Sequence, residues 1–74
     1  MDINYELYKI FYHVAICGSI SKAADAMYIS QPAVSQAIKN LEDKLGGKLF
    51  IRTKHGILLT EEGNLLLRFH AWFG

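Results

Sequence analysis

A chain of 74 residues has room for one domain, and at that length the core it can bury is limited and its stability modest. About half of the residues are hydrophobic, no segment is repeated or of low complexity, the longest apolar runs are far too short to span a bilayer, and no basic start precedes an apolar signal core, so an ordered cytoplasmic globule is expected. The formal charge of only +1 gives a nucleic-acid partner little support by itself, and the single cysteine, Cys17, cannot form an internal disulfide.

From Asn4 to Cys17 the apolar residues Leu7, Ile10, Phe11, Val14 and Ala15 recur at three- and four-residue spacing, with Tyr8 and Tyr12 beside them, which predicts a first helix. Asp2 or Asn4 can cap its start and Gly18 ends it. His13 falls off the stripe and has no partner ligand at i+3 or i+4, so it reads as a surface residue; Cys17 reads as a packed small residue. A second, short helix follows, with Ser19 and Ser21 as two candidate caps and Ile20, Ala23, Ala24 and Met27 as its apolar set. Its adjacent alanines let another helix axis approach closely. Tyr28 and Ile29 form a turn, and Ala24, Met27, Ile29, Val34 and Ala37 are expected to fill the inner face of a helix-turn-helix.

The third helix, within Ser30 to Gly46, carries the most information. Val34, Ile38, Leu41 and Leu45 make a narrow buried seam, while Pro32, Gln36, Lys39 and Asp43 lie opposite, flanked by Ser35 and Asn40. Ser30 suits the N-cap, Pro32 the first turn and Gly46 a left-handed stop. A helix anchored on one side that shows amide, hydroxyl and ammonium groups on the other could read base edges in a major groove. Charge distribution agrees: residues 39–54 hold Lys39, Lys44, Lys48, Arg52 and Lys54 against Glu42 and Asp43, and the rest of the chain is net negative. Taken singly, though, such a run is also what a solvated surface looks like, and any three-helix bundle needs these apolar contacts.

After Gly46-Gly47 the pattern becomes extended. Lys48 to Arg52 and Gly56 to Thr60 flank Thr53-Lys54-His55, which predicts a hairpin with Leu49, Phe50, Leu58 and Leu59 packed on the helices and Arg52, Lys54 and His55 at the tip. Thr60 can cap a last helix whose Glu61 and Glu62 suit the positive end of its dipole, and in which Gly63 is a weak spot. Leu65, Leu66, Leu67, Phe69, Trp72 and Phe73 make this segment apolar around much of its circumference. Either part of that surface binds another chain, or the leucines close the domain's own core. The sequence stops two residues after Trp72, part-way through a helical pattern, so a truncated chain or an isolated domain is expected.

Phe11, Ser19-Ile20-Ser21-Lys22-Ala23-Ala24, Ser30-Gln31-Pro32-Ala33-Val34-Ser35, Ile38, Leu41-Glu42, Leu45-Gly46, Leu49-Phe50, Arg52, Leu59-Thr60 and Gly63 together are more than a generic bundle requires. In these residues, over nearly its whole length, the chain resembles the N-terminal winged helix-turn-helix domain of the LysR-type bacterial transcriptional regulators. The resemblance implies a mainly α fold, with the DNA-binding domain over 1–59 and the start of a linker, or dimerisation, helix over 60–74. It implies a recognition helix, Ser30–Leu45, that turns Gln31, Pro32, Ser35 and Gln36 to the major groove of promoter DNA, with Lys39 on a phosphate. Ser21 and Lys22 would start the positioning helix against the backbone, and the wing Arg52–Gly56 would lay Arg52, Lys54 and His55 along the minor groove or its phosphates. The linker helix, with Leu66, Phe69, Trp72 and Phe73, would pair two subunits into a homodimer on an interrupted palindrome. A small-molecule inducer would act through a separate C-terminal domain, and neither cofactor nor metal is implied.

Three features depart from the family pattern. Gln36 stands where members often carry arginine, which favours adenine over guanine readout. His55 replaces a frequent arginine, which would make that contact pH-sensitive near neutrality. The end from Phe69 to Gly74 lacks the usual alanine-rich linker pattern. Two other classes compete: an enzyme, for which no phosphate loop, ligand cluster or nucleophile-base spacing is present, and a winged helix that binds protein, which steep salt dependence would separate from DNA binding.

Overall fold

The helical spacing of the first half folds as helices and the extended runs after Gly47 as a hairpin. The computed structural model describes residues 5–69, ordered as α1 (Tyr5–Cys17), α2 (Ile20–Met27), α3 (Gln31–Leu45), β1 (Phe50–Thr53), β2 (Gly56–Leu59) and α4 (Glu61–Arg68). The cap expected at Asp2 or Asn4 lies outside the described residues. α1 buries Tyr8, Phe11 and Val14, with Leu7, Ile10, Tyr12 and Cys17 packed at the margin. It ends at Gly18, whose left-handed backbone (φ 68°) returns its N–H to Val14 O at 2.9 Å.

Ser19, not Ser21, caps α2 by accepting from the Lys22 N–H at 3.2 Å. Ala23 and Ala24 are buried, and their small side chains let α2 pack on both α1 and α3. Tyr28 closes α2 in the left-handed region (φ 58°). Ile29, expected on the inner face, is instead exposed: the chain reverses at Tyr28, returning the Ile29 N–H to Ala24 O and turning the side chain off the α2 stripe. α3 follows the expected pattern. Ser30 accepts from the Ala33 N–H at 3.2 Å, Val34, Ala37, Ile38 and Leu41 are buried, and Gly46 (φ 78°) ends the helix with its N–H on Glu42 O.

The hairpin pairs antiparallel with Phe50 opposite Leu59, Ile51 opposite Leu58, Arg52 opposite Ile57 and Thr53 opposite Gly56. Because strand side chains alternate between faces, adjacent Leu58 and Leu59 cannot both point inward. Leu58, expected in the core, is thus exposed opposite the exposed Ile51, and Ile57 takes the inner place with Phe50 and Leu59. Thr53 belongs to β1 rather than to the turn. Phe11 joins the layers, its ring centroid 5.8 Å from Tyr8 and 5.3 Å from Phe50.

α4 is held to the chain entering the wing. Thr60 Oγ1 accepts from the Gly63 N–H at 3.0 Å and donates to Lys48 O at 2.6 Å, while the Thr60 N–H donates to Leu49 O at 3.0 Å. Gly63 is therefore no weak spot: it is buried, and a Cβ there would collide with the Leu49 carbonyl oxygen and sit 2.8 Å from Leu59 Cδ2. Leu66, expected on a dimer face, is only 4% exposed and closes the domain's own core. Trp72 and Phe73 lie outside the described residues, within which no helix is long and apolar enough to cross a membrane.

Candidate nucleic-acid interface

Burying one seam of α3 leaves its other face to solvent, and the described structure seats the sequence-derived residues there. Gln31, Pro32, Gln36 and Lys39 are exposed and Ser35 is half-buried. With Ser19 engaged as the α2 cap, the Ser21 hydroxyl is free for another role and accepts from Gln31 Nε2 at 3.4 Å, near the outer limit of a hydrogen bond. That contact ties the start of α2, where Ser21 and Lys22 are exposed, to the start of α3.

The wing approaches α3 from the other side. Arg52 shares the strand face of Phe50, so its exposed side chain lines the groove between the hairpin and α3 together with Ser35, Lys39 and Lys48. This groove holds about 530 Å³ above a floor that includes Ile20, Ile38 and Ile57. Lys54 and His55 form the exposed two-residue tip. The tip is ordered by Thr53, whose Oγ1 accepts from the His55 N–H at 3.1 Å and lies 3.2 Å from Gly56 O as a donor. Gly56, with φ 130°, adopts a backbone that a side chain rarely takes, and a Cβ on it would meet Gly18 O at 3.2 Å.

Three contributors were not legible as such in the sequence. Asn40 accepts from Gln36 Nε2 at 2.9 Å, and the only signal for it was the four-residue spacing of two amides on an exposed helix face. Lys48, counted in the cationic stretch of the sequence, lines the groove together with Glu42, a placement its position in the chain did not give. Glu42 accepts from the Leu49 N–H at 2.8 Å through Oε2 and lies 3.8 Å from Lys48 Nζ through Oε1, fixing the end of α3 to the entry of the wing. Nothing in the spacing of Glu42 announces a contact made across the Gly46-Gly47 turn.

Other chemistry-bearing groups are accounted for locally. His13 Nδ1 donates to Lys9 O at 2.8 Å, within its own helix. Among the described residues no three His, Cys, Asp or Glu side chains are grouped as metal ligands would be. Beside the α4 surface an apolar cleft of about 180 Å³ is lined by Leu45, Leu49, Leu65, Leu66 and Phe69, and Leu65 and Phe69 remain exposed.

A short helix pair joined through a left-handed residue, with a two-stranded wing packed against it, defines a winged helix-turn-helix protein. The family model for bacterial regulatory helix-turn-helix proteins of the lysR family matches residues 5–64, and the chain belongs to that family. It is 52% identical over 54 residues to the HTH-type transcriptional regulator AdmX of Serratia plymuthica, covering 73% of this chain and 18% of that protein. To the nitrogen assimilation regulatory protein nac of Escherichia coli K12 it is 39% identical over 64 residues, covering 86% of this chain and 21% of the other. The CbnR DNA-binding domain, solved as a DNA complex, superposes with a TM-score of 0.90 at 31% identity, over 96% of this chain and 82% of that one. The BenM DNA-binding domain on its catB site 1 DNA gives the same TM-score and identity, over 96% and 80%. The chain spans less than a quarter of the length of the curated relatives it matches.

Proposed function

We propose that this chain is the DNA-binding domain of a transcriptional regulator and docks on promoter DNA. In this reading α3 enters the major groove with Gln31, Pro32, Ser35 and Gln36 toward base edges and Lys39 on a phosphate. Ser21 and Lys22 meet the backbone, and Arg52, Lys54 and His55 follow the minor groove or its phosphates. The observation that carries it is continuity: the Ser21–Gln31 hydrogen bond joins α2 to α3, and the groove shared by Ser35, Lys39 and Arg52 joins α3 to the wing. One polar, cationic surface results from elements that a helical bundle has no need to align. Relatives solved on DNA, and a length under a quarter of the curated relatives, support a DNA-binding module of a longer regulator; a separate domain that senses a small molecule is what the family resemblance adds to that reading.

The homodimer belongs to the same reading, with a changed membership. Leu66 is spent on the core, so the exposed Leu65 and Phe69 beside the α4 cleft are the described residues that a second subunit would cover. Two such domains would meet successive major grooves of an interrupted palindrome.

The test is an amide chemical-shift titration of the labelled chain with a mixed-sequence duplex at low and moderate salt. Shifts at Ser21-Lys22, Gln31 to Lys39 and Arg52 to His55, fading as salt rises, are expected, because cationic contacts release counterions. If those amides stay still at low salt while an apolar partner moves them without salt dependence, the domain binds protein instead.

A further inference from the structure

Within that DNA-binding reading, we infer that Asn40 is a positioning residue that sets the base preference of Gln36. Gln36 is exposed on α3, and an exposed glutamine has three rotatable bonds and an amide that can present either its oxygen or its nitrogen to a partner. Asn40, one helical turn later, accepts one Nε2 hydrogen of Gln36 at 2.9 Å. The bond has two consequences. It restricts the side chain before DNA arrives, so less rotamer freedom is lost on docking. With Asn40 as the acceptor, the nitrogen edge of the Gln36 amide lies toward Asn40, leaving Oε1 as an acceptor and one N–H as a donor. An acceptor beside a donor complements adenine, whose N6 amino group donates and whose N7 accepts, and mismatches guanine, which shows two acceptors at O6 and N7. Asn40 therefore acts through Gln36 and without any required contact of its own to a base.

The surroundings support this division of labour. Lys39, next to Asn40 in sequence, lines the cationic groove toward the wing, and Gln31 is engaged with Ser21. Gln36 is the recognition-face amide whose partner lies on its own helix, so changing Asn40 alters the aim of one side chain without loosening the contact between α2 and α3. Both residues lie outside the buried seam, so substitution at 40 is expected to leave the fold intact.

The experiment is selection of binding sites from random duplexes by the wild-type chain and by Gln36→Ala, Asn40→Ala and Asn40→Asp variants, with affinity for a mixed duplex measured alongside. Gln36→Ala is expected to erase the preference at one position of the site. Asn40→Ala is expected to weaken the adenine preference at that same position by about two- to tenfold, the range of one side chain left unordered, and to spare every other position. Asn40→Asp keeps an acceptor for Nε2 and is expected to retain the preference while its added charge weakens binding to all duplexes alike. An unchanged Asn40→Ala profile, a loss at a different position, or a profile in which Asn40→Asp fares no better than Asn40→Ala overturns the positioning role. If Gln36→Ala leaves all preferences intact, it is the base-reading role of Gln36 that fails, an outcome distinct from the others.

Discussion

Replacing Gly63 with alanine sets two physical effects against each other, and only the packing decides the sign. Alanine is the better helix former by about 1 kcal/mol, so an unencumbered glycine in the first turns of α4 would gain stability on replacement. In the folded domain an added methyl meets the Leu49 carbonyl oxygen and stands 2.8 Å from Leu59 Cδ2. The Leu59 methyl can swing aside, but the Leu49 carbonyl is backbone and accepts the Thr60 N–H at 3.0 Å. Relief therefore requires α4 to retreat, which strains the Thr60 bonds to Leu49 and Lys48. Overpacking of this kind costs ~1–3 kcal/mol and each of the two weakened hydrogen bonds ~0.5–1.5 kcal/mol, so after the propensity gain the net loss is about 3 kcal/mol. In a domain this small that lowers Tm by roughly 12–24 °C. Thermal and urea unfolding of Gly63→Ala, followed by circular dichroism, reads the change directly. A variant as stable as the wild type, or more stable, would refute the close approach of α4 to the wing.

Three further outcomes are expected. Glu42→Ala leaves the part-buried Leu49 N–H without its acceptor and should cost ~1–3 kcal/mol in urea unfolding, whereas Glu42→Gln, which keeps an acceptor, should cost clearly less; equal losses would mean that the exposed pairing with Lys48 matters more than the backbone bond. Lys54→Ala, at the wing tip, should weaken binding to all duplexes similarly and flatten the log–log salt slope by about one unit or less, and a loss confined to one sequence would contradict a phosphate role. Tyr8 is buried, which together with the neighbouring Tyr12 and Tyr5 raises its phenol above the ordinary value of 10.0, so the folded state holds that proton more tightly than the unfolded chain. Its contribution to stability should be complete below pH 10 and fall as the pH rises above it, and Tyr8→Phe should flatten the alkaline limb of a stability–pH profile.

The sequence exposed the helices because their causes are local. Val34, Ile38, Leu41 and Leu45 repeat at the helical period, and Ser30, Gly46 and Gly18 occupy positions where a cap or a left-handed stop has few substitutes. The exposed face of α3 was legible for the same reason, since fixing the buried seam fixes its opposite. Where expectation and structure part, the deciding contact spans separate elements. Leu58 and Leu59 look alike in a run of apolar residues, and only the register of the hairpin against the helices sends one out and the other in. Leu66 and Phe69 share an apolar segment, yet the docking of α4 buries one and leaves the other exposed.

Composition, periodicity and capping residues thus determined by themselves that this chain forms three helices, a hairpin and a last helix, and that the third helix keeps one polar face out of the core; the resemblance in the motif residues added the winged helix-turn-helix. The tertiary structure decided how that surface is assembled: the Ser21–Gln31 contact between helices, the groove that brings Arg52 and Lys48 beside Lys39, and the glycine that lets α4 close on the wing. Local order follows from residues three or four apart, which the sequence displays. Close approaches between remote segments depend on the shape left when several elements pack at once, so a glycine that reads as a flaw in a helix becomes the place where two elements touch.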